Sequence, residues 1–249
     1  PFGENVTGDY TVFQNSNENV ALYDYNCYNQ LVGVDTNGVI SSYTYAPDGM
    51  RASKTVAGNT TNFVYDNANV IEEVAADGVN KYFRGLEIIK NGDNIYYFYN
   101  GQGDVSILAG NDGNTVASYI FDAYGNQSEE NTVYNPFGYR GEYTDSESGL
   151  VYLRARMYDP ETGRFINEDP AKDNYNWYVY CSNNPIMLID PFGLFDYNTK
   201  LSKSNQYSDD VKVLQNELAW LGYYTGEIDG YFGNQTLSAV NAYKDASGL

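Results

Sequence analysis

Asx-Gly dipeptides punctuate the first half of this chain at Asn37-Gly38, Asp48-Gly49, Asp77-Gly78, Asn91-Gly92 and Asp112-Gly113. Such pairs tolerate the positive φ that a tight hairpin turn demands. The runs between them, among them TTNFVY at 60–65 and IYYFY at 95–99, are rich in β-branched and aromatic residues. Those types fit a pleated, half-buried surface. No stretch before Tyr134 repeats its apolar residues with helical period, so no helix longer than three turns is expected there. Residues 1–133 are therefore expected to be a succession of β-hairpins.

A longer period overlies the hairpins. Its anchors are Tyr23-Asp24, Tyr45, Tyr65-Asp66, Tyr99 and Phe121-Asp122, spaced by 22, 20, 34 and 22 residues, and the wide gap holds one additional hairpin. A tyrosine ending a strand can bury its ring while its hydroxyl reaches a partner or water. Packing between strands is one use of such a residue and a platform for sugar is the other. About five repeats leave unpaired strand edges, which further repeats upstream would cover.

Composition narrows the function classes. A net charge of −19, spread without an acidic block, argues against nucleic acid and anionic membrane as partners. No apolar run reaches membrane-spanning length, so no membrane span is expected. The chain has no histidine, which excludes a Ser-His-Asp triad, a Cys-His dyad and a His-ligated zinc site within it. No metal and no cofactor is expected. Cys27 and Cys181 form no metal-binding pattern and no disulfide framework, and buried free thiols are expected over a bridge. The chain opens at Pro1 without methionine or a signal-like segment and reads as a piece of a longer protein.

Five of the seven prolines lie between Pro136 and Pro191, three of them in the pairs Asp159-Pro160, Asp169-Pro170 and Asp190-Pro191. Each pair marks extended or turning backbone. Beyond 194 the chain is polar and patternless to about 207, reading as a linker. Val211, Leu214, Leu218 and Leu221 then recur at helical spacing, with Ser208 placed as N-cap and Gly222 as a stop. Gly226, Gly230 and Gly233 demand an irregular loop before a second helical segment at 236–243. The expected organisation is a repeat sheet over 1–133, a proline-rich core over 134–194, a linker over 195–207 and a helical domain over 208–249.

RMYDPETGRFINEDP followed by NWYVYCSNNPIMLIDPFGL resembles the Rhs-repeat-associated core of Rhs and Tc-toxin C-subunit shells. The likeness is unbroken from about Tyr134 to Leu194, and the weaker aromatic-Asx anchors, which resemble YD repeats, extend it back to about Tyr23. It implies a mainly β fold in which YD-repeat hairpins form part of a β-cocoon. It also implies an aspartyl-type self-cleavage by Arg156, Asp169 and Asp190 at the Leu194–Phe195 bond. The chemistry is sound: two adjacent carboxylates share a proton and can serve as acid and base on one water, and a guanidinium can stabilise the oxyanion. Phe195 has no hydroxyl or thiol, so an intein-type acyl shift is unavailable. A plainer reading, in which the Asp-Pro pairs only cap turns, uses the same residues.

The segment VKVLQNELAWLGYYTGEIDGYFGNQTLSAV resembles the peptidoglycan-binding type 1 domain, departing from it at Ala242-Tyr243-Lys244. That likeness implies a small all-α three-helix domain and a wall ligand, with Tyr223, Tyr224 and Tyr231 as candidate contacts; a ligand-free helical stalk is the plain alternative. Together the likenesses imply part of a secreted or wall-associated bacterial Rhs-type polymorphic toxin. Its partners would be peptidoglycan, upstream repeats of the same shell and a toxin cargo downstream, and its only enzymatic step would be in cis. The competing reading is a non-enzymatic wall adhesin. A wall hydrolase fails for want of a catalytic set near the helices.

Overall fold

The structure, a computed structural model, describes residues 11–14, 20–85, 87–128, 133–170, 176–190, 192–194 and 207–247. Twelve antiparallel strands follow one another as a meander in a single sheet: β1 (Thr11–Gln14), β2 (Val20–Tyr25), β3 (Leu31–Thr36), β4 (Val39–Tyr45), β5 (Arg51–Val56), β6 (Asn59–Asp66), β7 (Asn69–Ala75), β8 (Gly78–Arg84), β9 (Ile88–Asn91), β10 (Tyr96–Tyr99), β11 (Val105–Ala109) and β12 (Thr115–Ser118). The β3–β4 turn uses Asn37 and Gly38 at φ 53° and 86°. Ala57-Gly58, φ 49° and 85°, makes the same turn between β5 and β6 without an Asx residue. Among the described residues before Tyr134 there is no helix.

The repeat has a physical basis. A β-bulge precedes Tyr25, Tyr45, Tyr65, Arg84 and Tyr99. The extra residue bends the strand and re-aims the side chain across the sheet. Tyr45 Oη donates to Leu31 O (2.7 Å), Tyr65 Oη to Arg51 O (2.9 Å) and Tyr99 Oη to Ile88 O (3.1 Å). Arg84 Nε donates likewise to Val70 O (3.2 Å), filling the wide gap between Tyr65 and Tyr99. The first anchor is thus Tyr25, two residues beyond the expected Tyr23, and the opening period becomes a regular 20 residues. These hydroxyls satisfy buried backbone carbonyls, which is the packing role and not that of a sugar platform.

One face of the sheet buries Tyr23, Leu31, Tyr43, Phe63, Val70, Tyr82, Ile88, Tyr97 and Leu108 against Phe137, Tyr143, Leu150, Tyr152, Met157 and Ile166. Those partners surround a smaller sheet of β13 (Tyr143–Asp145), β14 (Leu150–Leu153), β15 (Arg156–Asp159) and β16 (Arg164–Phe165). Two buried ionic centres cross this junction. Arg51, with no exposed surface, pairs with Asp145 at 2.5 Å, and Lys54 reaches the same carboxylate at 3.0 Å. The rings of Tyr43, Phe63, Tyr143 and Tyr152 surround the Arg51 guanidinium at 4.5–5.4 Å. Glu73, also buried, accepts from Tyr82 (2.5 Å), Tyr134 (2.9 Å) and Tyr143 (2.5 Å).

Beyond the core, α1 (Asp209–Trp220) and α2 (Asn234–Ser247) pack around Leu218, Tyr224 and Ala239. Two helices are present among the described residues where three are expected. The chain between them is held irregular by Gln215, which is fully buried. Its amide nitrogen lies within 2.9–3.2 Å of Tyr224 Oη, Asp229 Oδ1, Tyr231 O and Thr236 Oγ1, and its amide oxygen accepts from Gly230 N (2.8 Å). Gly230 has φ +76°, and a Cβ there would meet the Tyr207 ring at 2.6 Å. Neither cysteine forms a disulfide, and only Cys181 is buried; Cys27 is exposed because it lies in the β2–β3 turn.

Truncating Asp145 to alanine leaves Arg51 buried without its counterion. Asp145→Ala is expected to cost about 3–5 kcal/mol, read as a lower denaturant midpoint at unchanged m-value. A loss below about 1 kcal/mol would show that the pair does not hold the two sheets together.

Candidate functional site

The β14–β15 hairpin turns through Arg154 (φ 59°) and Ala155 and delivers Arg156 as the first residue of β15. Arg156 is 3% exposed, and Phe165 on the adjacent β16 places its ring 3.6 Å from the guanidinium carbon. The fork faces two carboxylates. Nη1 lies 3.6 Å from Asp169 Oδ2 and Nη2 lies 3.6 Å from Asp190 Oδ2. Burial pulls the Arg156 pKa down, while Asp190 and then Asp169 push it back up. Both aspartates are themselves buried.

Backbone contacts fix this arrangement. Trp177 O accepts from Asp169 N (3.0 Å) and from Arg156 Nη1 (3.1 Å), tying the first aspartate to the arginine. Leu194 N donates to Asp190 Oδ1 (3.0 Å), Ala155 N donates to Phe192 O (3.2 Å), and Arg156 Nε donates to Gly193 O. The 192–194 segment is thereby laid across the hairpin. Gly193 adopts φ +66°, and a Cβ there would meet Leu153 O at 2.8 Å. Only glycine fits so close an approach in a left-handed conformation.

The expected site residues Arg156, Asp169, Asp190 and Leu194 thus converge, while Phe195 lies outside the described residues. Asp159 does not join them; its carboxylate accepts from Glu161 N (2.9 Å) and Thr162 Oγ1 (2.8 Å) and caps a turn. Two contributors carried no sequence signal. Phe165 is one aromatic among many, and Trp177 acts through its carbonyl, which every residue possesses.

Leu194 opens on a cleft of about 640 Å³ with Phe192, Pro170, Arg154 and the 66–69 turn. Behind Asp190 a small cavity of about 50 Å³ is lined by Glu87, Glu142 and Arg140. Burial, and then the nearby Glu142, push the Glu87 carboxyl up from 4.5 to about 7. Arg154 pairs with Glu142 at 2.5 Å.

Of the tyrosines expected to meet a wall ligand, Tyr224 is buried and donates to Glu227 O (2.7 Å), which makes it core. Tyr231, 45% exposed, packs edge-on against Tyr207, and half-buried Tyr223 packs edge-on against Tyr243.

Two protein families match the chain: the Teneurin YD-shell over residues 84–189 and a peptidoglycan binding domain over residues 207–249. The chain is an Rhs-type YD-shell protein with a peptidoglycan-binding-type domain. The chain is 36% identical over 193 residues to the tRNA3(Ser)-specific nuclease WapA of Bacillus spizizenii, covering 69% of this chain and 8% of that one. The chain is also 32% identical over 237 residues to the tRNA(Glu)-specific nuclease WapA of Bacillus subtilis subsp. natto, covering 86% of this chain and 10% of that one. The chain therefore spans no more than a tenth of the length of these relatives. In fold it is similar to the TcdB2-TccC3 crystal structure, with a TM-score of 0.55 at 21% identity, covering 70% of this chain and 10% of that one.

Glu87 makes stability pH-dependent. Its folded-state pKa is raised from 4.5 to about 7, so the folded chain keeps a proton that the unfolded chain releases, and that stability is lost as pH rises through about 7. Glu87→Gln is expected to flatten the fall in denaturant midpoint between about pH 5 and about pH 8. Parallel curves for the variant and the parent would contradict it.

Proposed function

We propose that this YD-shell segment closes one end of a β-cocoon in a wall-associated, secreted Rhs-type toxin, and that its core cuts its own chain after Leu194. The observation supporting cleavage is the convergence on one peptide. Arg156 reaches both carboxylates and Gly193 O, while Leu194 N rests on Asp190.

In the proposed reaction Asp169 and Asp190, both facing the one guanidinium of Arg156, divide the base and acid roles on one water, one acting ionised and the other protonated. The ionised member takes a proton from water, whose oxygen attacks the Leu194 carbonyl carbon. Arg156 stabilises the oxyanion that forms. The protonated member gives its proton to the amide nitrogen of Phe195 as the C–N bond breaks. The products are a carboxylate on Leu194 and an amine on Phe195. Folding supplies the alignment, worth up to roughly 7–11 kcal/mol of barrier.

The cocoon reading rests on the meander and on its resemblance to the Tc shell fold. Further repeats would pair with its edges, and toxin cargo would lie downstream, as the nuclease names of the WapA relatives indicate for those proteins. The helical domain would hold this assembly on peptidoglycan through Tyr231 and Tyr223. No helix among the described residues is long and apolar enough to cross a membrane.

Cleavage is tested by intact mass on a chain carrying all preceding repeats. The parent is expected to end at Leu194, and Asp169→Asn or Asp190→Asn to stay whole. Arg156→Ala should slow cutting about 10²–10³-fold, with Arg156→Lys between, since a point charge replaces a planar fork. Equal cutting with both aspartates replaced would refute the mechanism. Wall binding is tested by pull-down on purified peptidoglycan. The full chain should be retained and a chain ending at Leu194 should not; equal retention would favour the adhesin reading with the repeats as its ligand-binding part.

A further inference from the structure

The helical domain meets the YD-shell at a large aromatic side chain. Trp220, the last residue of α1, donates from Nε1 to Asn69 Oδ1 (3.3 Å) at the start of β7. Its ring lines the 640 Å³ cleft together with Ala68, Arg154 and Leu194, and it also lines the small cavity with Arg140, Leu153 and Asp190. Trp220 therefore sits between the repeat sheet and the core, beside the segment that ends at Leu194. Ala219, Asn216 and Ile228 complete the helical side of the cleft. Tyr207, Tyr223, Tyr231 and Tyr243 line neither cavity.

We infer that Trp220 is a docking anchor that holds the helical domain on the YD-shell while the chain is whole, and that cutting after Leu194 releases it. A tryptophan seated between two packed surfaces, with its N–H satisfied, is the usual form of an interface hot spot. A contact built on one such anchor is weak between separate molecules, because association costs rotational and translational freedom. Tethered by residues 195–206, the same contact works against an effective concentration on the order of millimolar. Cleavage removes the tether and leaves the contact unchanged, so the docked fraction falls at working concentrations. The release step rests on the proposed cleavage; the docking does not. Shell docking and the two tyrosine pairs use different residues, so the domain can engage wall while still docked.

The test separates docking from self-cleavage. A chain carrying Asp169→Asn cannot cut itself under the proposed mechanism, and a specific protease site placed within 195–206 lets it be cut on demand. Trp177→Phe leaves Trp220 as the single tryptophan, since the chain has two. In the whole chain Trp220 fluorescence should resist acrylamide. Asn69→Ala, which leaves the helical domain intact, should raise the quenching constant about twofold or more. After protease treatment at about 10 µM, quenching should rise further and the helical fragment should elute apart from the shell. Trp220 readily quenched in the whole chain, with no change on Asn69→Ala, would overturn the docking. Fragments that co-elute with Trp220 still shielded would overturn the release.

Discussion

A guanidinium with no exposed surface, balanced by one carboxylate, is what the rest of this molecule leans on. Arg51 starts β5 in the repeat sheet, and Asp145 ends β13 in the core. Desolvating the two ions is costly, so the pair persists only where geometry and surroundings compensate. The four aromatic faces around Arg51 and the second cation at Lys54 supply that compensation. Arg51 also serves the sheet itself, since its carbonyl accepts from Tyr65 and its amide donates to Tyr152 Oη (2.8 Å). The repeat motif and the core are thus joined at one residue.

That junction is what sets the candidate site. Arg156, Asp169 and Asp190 come from a strand and two loops of the core, and no short segment holds them together. Asn167 donates to Asn29 O (3.0 Å), Asn29 donates to Glu168 O (2.9 Å), and Tyr25 donates to Ile166 O (2.8 Å). The β2–β3 turn of the repeat sheet therefore supports the loop after β16 that carries Asp169. A site assembled this way belongs to the folded shell and not to its motif alone.

Much of this was legible in the sequence, for identifiable reasons. Hairpins announce themselves locally, because an Asx-Gly turn and flanking β-branched residues need no distant partner. The strand period was legible too, although Tyr23 and Tyr25 are both strand tyrosines and only the bulge distinguishes them. Arg84 replaces a repeat tyrosine through a contact that its residue type does not advertise. The positive φ at Gly193 follows from its turn sequence, whereas the stacking of Phe165 on Arg156 depends on tertiary packing. Tyr224 looked like a surface aromatic because it adjoins Tyr223 in a loop. The buried Gln215 draws it inward, and that dependence runs from inside α1 past the end of the helix into the irregular chain beyond.

The geometry proposed for cleavage would form only once the core is packed on its repeat sheet. Refolding from denaturant tests it directly, with a chain bearing all its preceding repeats. Samples quenched over time are read by mass for a new N-terminus at Phe195 and by tyrosine absorbance for burial of the sheet–core junction. The account predicts no cleavage in denaturant, and product that appears only after the tyrosines are buried. Product formed in denaturant, or ahead of burial, would contradict it.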